Sequence, residues 1–153
     1  MGLTIPEEET ELWKKHGRPA WEALALTNDL YSWEKERDDA ARANQSQVVN
    51  AIWILMQEYS VTEAEAKKLC TNKIKESVAK AVRIVEQTRH DTNLSLDLRR
   101  YIEAMMYTIS GNLVWSIYCP RYHPEKTYGE LELAKMAEVM MHCPSAGTGL
   151  SVR

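Results

Sequence analysis

Asn28, Ser32 and Glu36 stand four residues apart in the stretch Asn28-Asp29-Leu30-Tyr31-Ser32-Trp33-Glu34-Lys35-Glu36. A four-residue step advances an α-helix by roughly 400°, so the three side chains follow one slowly drifting face, one above another. Their Cα atoms span about 12 Å, which is long for one ion. Glutamate is the longest of the three and helical side chains lean toward the N-terminus, so the Glu36 carboxylate reaches back toward Ser32. An amide oxygen, a hydroxyl and a carboxylate make a hard, all-oxygen and incomplete coordination set. Such a set suits Mg²⁺, which keeps waters and completes its octahedron with phosphate oxygens of a substrate.

The wording of this nonapeptide resembles the second metal-binding motif of class I terpene synthases, (N/D)Dxx(S/T)xxxE, and is most similar to that of fungal and bacterial cyclases. The resemblance implies that Asn28, Ser32 and Glu36 bind one of three Mg²⁺ ions that hold a substrate diphosphate. It also implies a diphosphate contact for Lys35, whereas Asp29 matches the pattern without being a usual ligand and Glu34 fills a variable slot. A second stretch, Trp115-Ser116-Ile117-Tyr118-Cys119-Pro120-Arg121-Tyr122, resembles the C-terminal signature of the same cyclases. There an Arg-Tyr pair at the end of a late helix contacts diphosphate, after an Asn and a Trp on that helix. The corresponding residues are Arg121 and Tyr122 as diphosphate contacts, with Asn112 and Trp115 as catalytic pocket residues. Tyr101, Thr108, Asn112 and Trp115 recur at helical spacing and are expected to share a face.

What the resemblance implies is an all-α chain, the C-terminal half of the class I terpenoid synthase helical fold, with about five to six helices. Its activity would be ionisation of an isoprenyl diphosphate (farnesyl, geranylgeranyl or geranylfarnesyl) with Mg²⁺, then cyclisation of the carbocation and release of diphosphate. Trp115 and Tyr101 would offer ring faces to the cation without offering a nucleophile. Class I cyclases are longer and carry an aspartate-rich motif on an earlier helix, which is not found in this sequence. Residues 1–122 are therefore expected to be the C-terminal part of a cyclase domain that is inactive alone, and 123–153 an extra helix and flexible tail or linker. A homo-oligomer or a fused prenyltransferase domain in the parent protein stays open.

The competing reading is a non-catalytic helical interaction module or a degenerate cyclase fragment. In a plain interaction module Asn28, Ser32 and Glu36 are surface residues and the Trp115 stripe is core. A di-iron carboxylate bundle needs Glu-x-x-His pairs. The residues three before His16, His90, His123 and His142 are Trp13, Gln87, Pro120 and Val139, which excludes it.

The rest of the chain agrees with a helical frame. Only 6 Gly and 5 Pro occur in 153 residues, there is no Phe, and apolar residues recur at three-to-four spacing. A net charge of −3 with both signs interspersed predicts no nucleic-acid groove. Three cysteines, Cys70, Cys119 and Cys143, without a CxxC pair fit reduced thiols. The start of the chain runs into Glu7-Glu8-Glu9, taken as a solvated first turn rather than a secretory signal. The apolar run from Val48 to Met56 is too short to span a bilayer and contains Asn50. A cytoplasmic protein without stable membrane insertion is the expectation.

A short first helix is expected to break at Gly17-Arg18-Pro19, and a second to run from about Pro19 to Ala43, with Leu26, Leu30 and Trp33 inward. A third is expected over about Ser46–Tyr59, buried at Val48, Val49, Ile52, Leu55 and Met56. The capping box Thr62-x-x-Glu65 should open a fourth, to about His90, with Leu69, Ile74, Val78, Val82 and Val85 inward. A fifth should start near Asn93 to Leu96 and run to about Cys119, with Leu98, Ile102, Met105, Ile109, Leu113 and Ile117 inward, and a sixth should follow Thr127.

Overall fold

A computed structural model describes residues 2–123, and the expected sixth helix lies outside them. Every regular element among the described residues is helical: a single 3₁₀ turn at Glu7–Glu9 leads into α1 (Thr10–Arg42), followed by α2 (Ala51–Tyr59), α3 (Glu63–Thr88) and α4 (Leu96–Tyr118).

The expected break at Gly17–Pro19 does not occur, and α1 runs for 33 residues with Pro19 inside it. Proline there forfeits one backbone hydrogen bond, but tertiary packing on both sides carries the helix through. Gly17 is buried beside the Tyr101 ring. Ala20 and Ala23 pack with Ala81 of α3 and with Met105 and Ile109 of α4. Small side chains at these positions let α1 act as a spine for both later helices.

The register follows from contacts along that spine. Ser77 Oγ donates to Glu22 (2.8 Å), Cys70 Sγ to the Leu26 carbonyl (3.6 Å), and Lys67 Nζ to Glu34 (3.1 Å), so α3 runs antiparallel to α1. In contrast α4 runs alongside α1 in the same direction. Its Ser95 cap is held by Glu9 and its Asn112 Nδ2 donates to the Leu24 carbonyl at 3.3 Å. Glu9 is thus no solvated first-turn residue. It is 8% exposed, and its carboxylate accepts from the Ser95 backbone N–H (2.7 Å) and from the Ser95 hydroxyl, whose oxygen accepts in turn from Leu98 N–H (3.1 Å).

The core has three centres. Trp33 of α1 packs with Ile52 and Leu55 of α2 and with Ala66 and Cys70 of α3, with Leu26 and Leu30 at its margin. The alanine-lined contact described above forms the second, and Val85, Leu94, Leu98 and Ile102 the third. Three expected inward positions are corrected. Val49 is 97% exposed because α2 begins at Ala51, not Ser46; Val82 (38%) and Leu113 (42%) face outward at the edges of their stripes, where no described helix covers them.

The capping box at Thr62 is present as expected. Thr62 Oγ1 accepts from Glu65 N–H at 3.3 Å, and the Glu65 carboxylate accepts from Thr62 N–H at 2.9 Å. Thr62→Ala should therefore lower stability by about 1 kcal/mol, measured by urea unfolding. A loss below about 0.3 kcal/mol would mean that packing alone sets the start of α3.

Candidate metal and diphosphate site

The three oxygen-bearing residues of the ladder sit on α1 with different surroundings. Ser32 is buried at 1% exposure, while Asn28 and Glu36 are half-buried. They do not point into bulk solvent as an ordinary polar stripe would. What holds them comes from two places far along the chain.

One is Asn50, which caps α2 and is 1% exposed. Its Oδ1 accepts from Ile52 N–H at 2.8 Å. Its Nδ2 donates to the Asp29 carbonyl (2.8 Å) and to Glu36 Oε2 (3.0 Å), with Ser32 Oγ at 3.4 Å. The Asp29 side chain completes this junction by accepting from Ala51 N–H at 2.8 Å. Two free N–H groups in the first turn of α2 are thereby satisfied, one by the capping residue and one by the second residue of the α1 motif. Asp29 thus works as a strut between helices. Burial pushes its carboxyl above the usual carboxylate range, and the nearby Glu36 charge adds to that, while the Ala51 N–H works against it.

The other is the turn after α4. Asn28 Nδ2 donates to Tyr122 Oη at 2.9 Å. That turn is closed by Tyr122 N–H donating to the Cys119 carbonyl at 3.0 Å. The Tyr122 ring meets Trp115 edge-on, with centroids 5.4 Å apart and planes at 84°. Asn112, one turn earlier on α4, binds the Leu24 carbonyl one turn before Asn28, fixing the two helices at this end. Asn28, Tyr122, Trp115 and Asn112 therefore form one continuous patch. Sequence positions 28 and 122 meet because α1 and α4 run in the same direction.

Other residues from the sequence stand differently. Lys35 is ion-paired with Asp39, which also takes Arg42, so its ammonium is directed along α1. Arg121 is exposed, three residues beyond the end of α4. Tyr101 stands at the far end of α4 from Trp115. Its ring packs against Trp13, centroids 5.8 Å apart, near Gly17. From Tyr101 to Trp115 is about 21 Å along a helix at 1.5 Å per residue. The N-terminal part of α1 covers the first of these residues and leaves the second 48% exposed.

These positions run against a plain interaction module, which needs Ser32 at the surface and Trp115 in the core. Among the described residues no group of three His, Cys, Asp or Glu side chains gathers as a metal site. The ladder differs from such a cluster in having a single carboxylate, and its oxygen-only donors fit a hard divalent cation that keeps waters. Cys70 is no alternative nucleophile: burial pushes its thiol up to about 11. No described helix is long and apolar enough to cross a membrane.

Asn50 is the residue that the ladder spacing does not reveal. Its signal in the sequence is a lone amide at the head of an apolar run, where a capping residue belongs.

Residues 1–80, which include the ladder, Asn50 and most of α3, match the family described as terpene synthase family 2, C-terminal metal binding. Fusicoccadiene synthase of Phomopsis amygdali is 46% identical over 138 residues, 90% of this chain and 19% of that protein. A bifunctional type I diterpene synthase of Aspergillus flavipes is 43% identical over 149 residues, 97% of this chain and 20% of that protein. Ophiobolin F synthase of Cochliobolus heterostrophus is 41% identical over 133 residues, 87% and 18% respectively. The chain thus spans about a fifth of the length of these relatives. With a metal-binding family pattern laid over its ladder and synthases aligned along most of its length, the chain belongs to the terpene synthase family.

Proposed function

We propose that this chain is the metal-binding part of a cyclase that ionises an isoprenyl diphosphate, of farnesyl, geranylgeranyl or geranylfarnesyl length, and closes the resulting carbocation. The observation that carries the reading is the Asn28–Ser32–Glu36 ladder, drawn out of bulk solvent by Asn50 on one side and Tyr122 on the other. A merely solvated helix face has no need of that order.

Asn28, Ser32 and Glu36 would hold Mg²⁺, which when bound neutralises charge growing on a leaving diphosphate. Arg121 and Tyr122, on the turn whose Tyr122 hydroxyl meets Asn28, would contact the diphosphate, as would Lys35 once released from Asp39. The scissile C–O bond breaks with its electron pair going to diphosphate, and the allylic cation then closes on a double bond and loses a proton. Trp115 presents a ring face to the cation with no nucleophilic atom. Asn112 keeps that ring in place by tying α4 to α1.

Water must be excluded from such a cation, and Trp115 is half open in this chain. The 153-residue chain incubated with geranylgeranyl diphosphate and Mg²⁺ should therefore yield no cyclic hydrocarbon by gas chromatography. Substituted for the matching segment of the Phomopsis amygdali relative, the same residues should support cyclisation. A folded chimera that binds diphosphate and forms no product would overturn the reading, and turnover by the isolated chain would overturn its dependence on further segments.

A further inference from the structure

The cap at the head of α2 asks little of its residue. Serine, threonine, aspartate or asparagine can each accept the hydrogen bond from the N–H two residues on. Asn50 does more than this. While Oδ1 accepts from Ile52 N–H (2.8 Å), its Nδ2 faces the opposite way, onto the Asp29 carbonyl (2.8 Å), Glu36 Oε2 (3.0 Å) and, at greater length, Ser32 Oγ (3.4 Å). Both amide protons and the amide oxygen are engaged, in a side chain only 1% exposed.

An amide is the group this geometry calls for. Aspartate would keep the cap but set a carboxylate against Glu36 and against a carbonyl oxygen, all acceptors with no proton between them. Serine would keep the cap but lack a donor that extends to α1. Glu36, by contrast, gives one carboxylate oxygen to Asn50, and a carboxylate has about four lone-pair sites, so acceptor capacity is left for a cation. The N–H contact restricts the rotamers of a long side chain without neutralising it, as outer hydrogen bonds do for metal-ligating carboxylates.

We propose that Asn50 is the positioning residue of the ladder, holding Glu36 and Ser32 in the arrangement in which they bind a divalent cation. The inference rests on the metal reading of Asn28, Ser32 and Glu36 given above. It adds that α2, which contributes no ligand, decides how well the ligands on α1 are aimed.

The test uses the full 153-residue chain, labelled with ¹⁵N and titrated with Mn²⁺ alone. The side-chain amide signals of Asn28 and Asn50 should broaden together, at lower Mn²⁺ than those of the exposed Asn72 and Asn93. In Asn50→Ser, which retains a capping hydroxyl, the Mn²⁺ concentration that half-broadens Asn28 should rise about 10-fold or more, with helicity by circular dichroism unchanged. Glu36→Gln is the reference, because it removes the charge of the ligand itself and should abolish selective broadening. If Glu36→Gln loses it and Asn50→Ser does not, Asn50 is only a cap and the ladder stands. If Glu36→Gln leaves broadening as in the wild type, the ladder is not the cation site and both readings fall. Should Asn50→Ser fail to fold, the wild-type protein decides. Under Mg²⁺ the Asn50 amide signals should shift with those of Asn28, and a stationary Asn50 beside a shifting Asn28 overturns the proposal.

Discussion

Glu36→Gln in a cyclase carrying this segment should lower kcat about 100-fold or more, while its melting temperature stays near that of the unsubstituted chimera. Glutamine is nearly isosteric, and its carbonyl oxygen can accept the Asn50 Nδ2 proton that Glu36 Oε2 accepts at 3.0 Å. The junction between α1 and α2 is thus kept. What goes is the only carboxylate of the ladder, leaving an amide, a hydroxyl and an amide to bind a hard dication that prefers anionic oxygen. Losing the positioning and charge neutralisation that a metal gives a leaving diphosphate removes several kcal/mol of transition-state stabilisation, and every 1.36 kcal/mol is tenfold in rate. Glu34→Gln serves as the control. Glu34 is 70% exposed and pairs with Lys67 across the surface, so turnover should change by less than about twofold. If Glu36→Gln retains turnover within a few-fold of the parent chimera, the ladder does not carry the metal.

The second large effect is on folding. Trp33→Ala should destabilise the chain by about 3–5 kcal/mol and lower its Tm by roughly 10 °C or more. Trp33 is 2% exposed and joins Ile52 and Leu55 of α2 to Ala66 and Cys70 of α3. Removing its ring leaves a void at the meeting of three helices, which rigid backbones fill only in part. It stands next to Ser32 on α1, so loosening this core should also loosen the junction at Asn50. Val49→Ala, at a position 97% exposed, should stay within about 0.5 kcal/mol. Denaturant unfolding followed by circular dichroism checks both, and a loss below about 1 kcal/mol for Trp33→Ala would show that the α1–α2–α3 core does not depend on it.

The helices that position the site were legible wherever local signals agreed with burial. Thr62 and Glu65 reproduce the capping box, and Leu98, Ile102, Met105 and Ile109 trace the inward stripe of α4 as their spacing implies. Local signals gave way where they met tertiary packing. Gly17 and Pro19 are breakers by propensity, yet close contact of α1 with Tyr101, Ala81 and Met105 keeps the helix continuous. Val48 and Val49 extended an apolar pattern toward Ser46, but the chain uses Asn50 as a cap, and α2 starts after it. Glu9 had the composition of a solvated turn and is instead the acceptor that holds the start of α4.

By itself the sequence determined that the chain is helical, that Asn28, Ser32 and Glu36 share a face, and which family their wording belongs to, since these follow from residue types at short range. Only the tertiary structure decided what surrounds that face. The meeting of Tyr122 with Asn28, the bridging of Ser32 and Glu36 by Asn50, and the packing of Tyr101 against Trp13 depend on helix directions and crossings. Those are set by which buried surfaces fit together over long stretches of chain, and no local spacing encodes them.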